Sequence, residues 1–352
     1  MVIVRKSLLT IFFLSFLAVT LAYFMGSCRK EQSTKGLTLL KQAIPESFPD
    51  PVYRFEDNPL TKEGFELGRK LFYDPRLSVD NLTPCSSCHQ QIAAFGTFEH
   101  DRSHGVFNSH TLRNAPVLFN LAWSPLFHWD GEFATLKDEA IHPITGQLEM
   151  GETLDGIITK IQGDPEYRKM FKEVFNYPLI RPDYILKALA QFTGSMVCAD
   201  SKYDQYKKGL VPFTSQEESG YQLYKANCAT CHPEPMFTNY EMYNIGLPVD
   251  PFLNDYGRMR ITGRSEDSLK FKVPTLRNVN ISSNYMHDGR FNTLQQCINH
   301  YRTGIQQSVT LDPSLTNGID LTDAEAENLR VFLKTLTDST ILKDPAFSKP
   351  VY

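Results

Sequence analysis

The chain has 352 residues, 41% of them hydrophobic and 22% charged, with a formal net charge of −4. That length accommodates two domains of ordinary size, each able to bury its own core, and the composition is that of a soluble globular body. So small a net charge gives no electrostatic case for nucleic acid or an anionic membrane surface as partner.

At the N-terminus, Arg5 and Lys6 precede an almost wholly apolar run from Ser7 to Phe24, then Gly26-Ser27-Cys28. This reads as a secretory leader over residues 1–28. Small residues directly before a cysteine resemble a bacterial lipoprotein signal, in which Cys28 becomes the acylated first residue and a lipid anchor to the membrane. Met25 departs from the aliphatic residue usual in that pattern. An uncleaved membrane anchor is the alternative, since the run approaches the roughly 18–20 residues needed to span a bilayer. Either reading places the body in the periplasm of a Gram-negative cell or at its exterior. Residues 29–50 read as a polar tether.

The first helical pattern starts at Thr61, a suitable N-cap, with Glu63 in the first turn and Gly68, Leu71 and Phe72 along one face. It leads to Cys85-Ser86-Ser87-Cys88-His89. Further helices are expected over roughly 135–141, 153–162, 166–175 and 182–206. Thr214 and Glu217 then form a capping box before Gly220, Leu223 and Tyr224, which lead to Cys228-Ala229-Thr230-Cys231-His232. A last helix opens with the capping box Thr322 and Glu325. The first cysteines of the two motifs stand 228 − 85 = 143 residues apart, a domain-sized repeat. The expected fold is mainly α, with two cytochrome c-like lobes packed against each other. The N-terminal lobe is assigned to 51–206 and the C-terminal lobe to 207–345.

The motifs carry the chemistry. In a c-type haem, two cysteines about one helical turn apart form thioethers to the porphyrin, and the following histidine points under the iron. Cys-x-x-Cys-His meets all three demands, so Cys85, Cys88 and His89 bind one haem c and Cys228, Cys231 and His232 a second. The rival is zinc, which requires four sulfur or nitrogen ligands pooled from both motifs. Of seven cysteines, Cys28 belongs to the leader and four to the motifs. Cys198 and Cys297 remain, read as buried thiols, with a disulfide as the alternative in an oxidising compartment.

Around the motifs the chain resembles the bacterial dihaem cytochrome c peroxidases and the related MauG-type enzymes, over about residues 60–335. The segments that carry the resemblance are Leu67-Gly68-Arg69-Lys70-Leu71-Phe72-Tyr73-Asp74-Pro75-Arg76-Leu77-Ser78, Arg113-Asn114-Ala115-Pro116, Trp129-Asp130-Gly131 and Glu149-Met150. Pro274-Thr275-Leu276-Arg277-Asn278-Val279 and Tyr285-Met286-His287-Asp288-Gly289 complete them.

The resemblance implies a peroxidatic first haem on His89, with Glu149 as the acid–base carboxylate for peroxide cleavage and Trp129 as an electron relay between the haems. Where many relatives carry a distal histidine, a gapless count back from Arg113 lands on Val106, which cannot bind iron. This implies an open first haem, with His100, His104 and His110 as rival ligands nearby. The implied sixth ligand of the second haem is Tyr301, with Met286 as its rival and His287 as pocket packing. A calcium ion is implied at the Asn114 side chain and the carbonyls of Ser282 and Asn284. The implied activity is reduction of hydrogen peroxide to water with electrons from a small cytochrome c or cupredoxin, and family members are often homodimers. A MauG-type enzyme that oxidises a partner protein and a non-catalytic electron carrier are the alternatives.

Overall fold

The computed structural model describes residues 36–97 and 100–351. The leader, including Cys28, lies outside the described residues, and no helix among the latter is long and apolar enough to cross a membrane.

The first lobe is built on two crossed helices. In Lys62–Tyr73 the Thr61 side chain caps the helix by accepting from Gly64 N, and the face bearing Phe65, Leu67, Leu71 and Phe72 is buried. This helix lies along Pro182–Thr193. Contact is close because Gly68 has no side chain: a Cβ there would stand 2.0 Å from Ala188 O and 2.9 Å from Phe192 Cβ. The second lobe repeats the arrangement. Ser215–Asn227 and Asp323–Lys334 each open with the expected capping box. At their crossing a Cβ on Gly220 would stand 2.0 Å from Asn328 O and 2.8 Å from Phe332 Cβ. Each pair seeds its own apolar core, one around Leu67, Leu71, Leu189 and Phe192, the other around Tyr221, Tyr224, Leu329 and Phe332. Among the described residues the one sheet is a two-residue antiparallel pair, Met242–Tyr243 with Phe271–Lys272.

Helices Leu154–Ile161 and Pro165–Phe175 form where expected, capped by Thr153 and Asp164. Two other expected helices differ. Residues 136–140 are turns rather than helix. The helix there is the short Ile141–Thr145. The long helix expected over 182–206 ends at Thr193. Asn120 draws the following segment away, pairing its backbone N with Met196 O (2.8 Å) and its side chain with Cys198 N (2.9 Å) and Cys198 O (3.0 Å). A separate helix, Lys202–Lys207, starts at the Ser201/Asp204 capping box and puts Tyr203 into the second core.

Both ends of the described chain are docked. Residues 38–50, expected as tether, pack on the body: Lys62 N donates to Thr38 O (2.8 Å), and Trp123 Nε1 to Pro49 O (2.7 Å). The segment after the last helix returns to the first lobe. Ile341 joins the first core, Tyr73 donates its hydroxyl to Phe347 O (2.7 Å), and Gln91 Nε2 donates to Asp344 O (2.8 Å).

Candidate active site

Cys85–Cys88 form a single helical turn closed by His89 N donating to Cys85 O (3.0 Å), so the two thiols stand one turn apart. In the second motif His232 N likewise donates to Cys228 O (2.9 Å). His89 Nδ1 pairs with Phe95 O (2.9 Å), and His232 Nδ1 with Phe237 O (3.0 Å). A carbonyl only accepts, so Nδ1 carries the proton and Nε2 keeps its lone pair for a metal. Burial lowers the pKa of both rings, to about 4 for His232, which keeps them in the neutral form that ligation needs. Phe95 and Phe237 both sit in the left-handed region (φ 59° and 55°). Strain of order 1 kcal/mol at each is accepted to present the two carbonyls.

Cys85, Cys88 and His89 line a cavity of about 520 Å³. That volume is within the roughly 300–1,000 Å³ of sites that enclose a cofactor-sized ligand. Its apolar wall includes Phe72, Leu118, Met150 and Leu189, and Asn114, Trp129 and Glu149 share it. Burial pushes the thiols of Cys85 and Cys228 up to about 12. A single motif offers two thiols and one imidazole, one ligand short of a closed zinc site. Nor do the two motifs pool their ligands: among the described residues the one cluster of potential metal ligands is His128, Glu132 and His142. The residues fit haem and not a shared zinc ion.

Glu149 reaches the cavity from a turn in which its N donates to Gly146 O (2.9 Å) and its O accepts from Val106 N (2.7 Å). Burial raises its carboxyl pKa, opposed by His142, whose Nε2 stands 3.6 Å from Glu149 Oε1. Val106 is buried behind this turn. His104 meets His100 edge to face and His110 at a tilt, with ring centroids 4.5 and 4.4 Å apart, and none of the three lines the cavity. The lining histidines are His89, His128 and His142.

Trp129 Nε1 donates to Asn114 O (2.8 Å), and its carbonyl accepts from Lys272 N (2.7 Å). Beside it, Arg113 is clamped by two buried carboxylates, Asp130 and Asp255, the latter through Nε (2.6 Å) and Nη2 (2.9 Å). Tyr301 lies on the π-helical turn His300–Gly304. Burial, aided by Cys297, Cys228 and Cys231, raises its hydroxyl pKa. His287 stacks on Phe271 (3.7 Å between ring centroids), and its carbonyl accepts from Asn114 N (2.7 Å). Asn114 is therefore joined to the loop that carries Ser282 and Asn284, and its amide nitrogen donates to Asp101 O (3.0 Å). Ser282 and Asn284 stand outside the cavity wall. Met286 is in the same loop, with φ 72°. Cys198 and Cys297 are both free thiols: Cys198 Sγ is 3.3 Å from Asn278 Nδ2, and Cys297 Sγ is 3.5 Å from Thr293 O.

Sequence reasoning missed His128, Glu132, Glu139 and His142. His128 is held down to about 4 by burial and by His142, and Glu139 is raised to about 7 by burial and by Glu149. The available signal was the density of histidine and glutamate between His128 and Glu149.

Two Cys-x-x-Cys-His motifs, each following one helix of a glycine-crossed pair, define a class of dihaem c-type cytochromes. A profile of the family described as di-haem cytochrome c peroxidase matches residues 62–211. The methylamine utilization protein MauG of Methylorubrum extorquens is 31% identical over 91% of this chain and 90% of its own length. The cytochrome c551 peroxidase of Nitrosomonas europaea is 33% identical over 81% and 82%. The crystal structure of a MauG-like protein associated with microbial copper homeostasis superposes with a TM-score of 0.79 at 32% identity, covering 88% of this chain and 99% of that one. The chain belongs to the di-haem cytochrome c peroxidase family, and haem c is its cofactor.

Proposed function

We propose that this protein reduces hydrogen peroxide to water in the periplasm, with two electrons drawn singly from a small cytochrome c or cupredoxin. The observation that carries the reading is that Glu149 shares one cavity with Cys85, Cys88 and His89. Haem c held by these residues supplies the iron at which peroxide binds and stores oxidising equivalents. Glu149 takes the proton from the inner peroxide oxygen and delivers it to the outer one, which departs as water. Its burial suits this, because a carboxyl raised above its ordinary pKa releases and recovers a proton more evenly near neutral pH. His142, half exposed at 44%, is placed to exchange protons between Glu149 and solvent. Val106 offers no atom that could hold an iron. Trp129 is the relay towards the second site, where Cys228, Cys231, His232 and Tyr301 would hold the second haem. Asn114, Ser282 and Asn284 supply oxygens for a calcium ion that ties the loops together. Cys28 is the lipid-anchored first residue of the mature chain, which forms a homodimer.

The test is Glu149→Gln in the haem-loaded protein. Steady-state peroxide turnover should fall about 10²–10⁴-fold while both haems stay attached. Undiminished turnover would remove Glu149 from the mechanism.

A second reading is a MauG-type enzyme that oxidises a partner protein, supported by Val106, Tyr301 and the extent of the match to MauG. An oxidised form that persists after peroxide is added without donor, together with slow turnover on every small donor, would favour it.

A further inference from the structure

We infer that His128, Glu132 and His142 form a second metal site in the wall of the cavity, for a divalent ion that prefers imidazole, Zn²⁺ or Cu²⁺. One ligand atom from each residue lies within 4.8 Å of the other two. Glu132 Oε2 is 2.7 Å from His142 Nδ1 and 3.7 Å from His128 Nδ1. Ligands held 2.0–2.2 Å from a tetrahedral ion stand roughly 3.3–3.6 Å apart, so Glu132 would have to move back from His142 by less than about 1 Å while its spacing to His128 is already close to that range.

The hydrogen bond on the far side of the His128 ring strengthens the case. His128 Nε2 lies 2.9 Å from Glu139 O, and a carbonyl only accepts, so the proton of neutral His128 is on Nε2. Its Nδ1 is then a bare lone pair facing the carboxylate oxygen of Glu132. A cation placed between these two acceptors would be held by both. Metal-bound histidines are oriented as His128 is, the second ring nitrogen donating to a carbonyl or carboxylate. His142 turns Nδ1 towards Glu132 at 2.7 Å, with Nε2 3.6 Å from Glu149 Oε1. A set of two nitrogens and one oxygen suits zinc or copper better than calcium or magnesium. Three protein ligands leave a fourth position open to water or a small molecule. Occupancy would fix His142 as an N–H donor to Glu149, which links this site to the carboxylate while standing independently of the peroxidase reading.

The test uses the haem-loaded protein equilibrated with micromolar Zn²⁺, desalted, and analysed for zinc and iron, the two haem irons counting the chains. About one zinc per two irons is expected. His128→Ala, His142→Ala and the near-isosteric Glu132→Gln should each weaken retention by at least about tenfold, with unchanged haem absorption showing that the fold persists. A double His104→Asn, His110→Asn variant controls for the other histidine cluster and should keep its zinc. With Cu²⁺ in place of Zn²⁺, electron paramagnetic resonance should show coupling to two nitrogens. No retained zinc, equal retention in every variant, or loss confined to the His104/His110 variant would each overturn the inference.

Discussion

Gly68 and Gly220 stand at equivalent crossings in the two lobes, where a Cβ on either would come 2.0 Å from a backbone carbonyl of the facing helix, Ala188 O or Asn328 O. A carbonyl inside a helix cannot turn aside as a flexible side chain can. Gly68→Ala must therefore push Lys62–Tyr73 away from Pro182–Thr193, and Gly220→Ala must do the same in the second lobe. Overpacking of this kind costs roughly 1–3 kcal/mol. Each substitution should lower the thermal stability of its own lobe and spare the other, which lobe-resolved haem absorption during melting would show. A uniform loss across both lobes would mean that they unfold as one unit.

The buried pair Arg277–Asp204 predicts an acid-sensitive second lobe. The guanidinium meets the carboxylate through two bonds of 2.8 Å, and Arg277 Nε also donates to Pro235 O (2.9 Å). Burial alone would raise the Asp204 carboxyl, but the bonds from Arg277 outweigh it and hold the pKa below its ordinary value. A depressed folded-state pKa stabilises at pH above the unfolded value of about 3.9, and that stability is lost as pH falls through the folded value. The wild-type lobe should therefore weaken below about pH 4. Asp204→Asn leaves Arg277 as an uncompensated buried charge and should cost about 3–5 kcal/mol at neutral pH. It should also flatten the acid limb. Denaturant titrations at neutral and acid pH check both outcomes.

What could be read in advance was local. Thr61, Thr214 with Glu217, and Thr322 with Glu325 cap helices because each bond closes within three residues. The haem motifs were equally legible, since their spacing is the chemistry. The break after Thr193 was not, because its cause is Asn120, 78 residues from Cys198. Nor was the return of Phe347 onto Tyr73, made by one hydroxyl reaching a carbonyl 274 residues away. The cluster His128, Glu132 and His142 is short in sequence but has no helical period. Bends and turns at 134–140 bring it together, and turn geometry was the part of this segment assigned wrongly.

Trp129→Phe separates the relay from the packing. Phenylalanine keeps an aromatic ring in the cavity wall but leaves Asn114 O without the Nε1 donor at 2.8 Å. The unpaired carbonyl should cost about 1–3 kcal/mol, visible as a modest fall in melting temperature. The rate at which electrons cross from the second haem to the first should fall further than stability does, measured by following the first haem after rapid reduction of the second. An unchanged crossing rate would make Trp129 a packing residue.

Tyr301 yields the most direct spectroscopic prediction. Burial raises its hydroxyl pKa, so at neutral pH the side chain is a neutral phenol unless a metal takes the place of its proton. An anionic phenolate on ferric haem stabilises the oxidised state and lowers the reduction potential relative to a thioether ligand. Tyr301→Phe removes the oxygen, while Cys228, Cys231 and His232 still hold the haem. The second haem should then change its ferric electron paramagnetic resonance signal with the covalent attachment intact. Tyr301→Met should restore a six-coordinate low-spin haem at higher potential. If Tyr301→Phe leaves the signal as it was and Met286→Leu changes it, the ligand is Met286, and the low potential expected of the second haem goes with it.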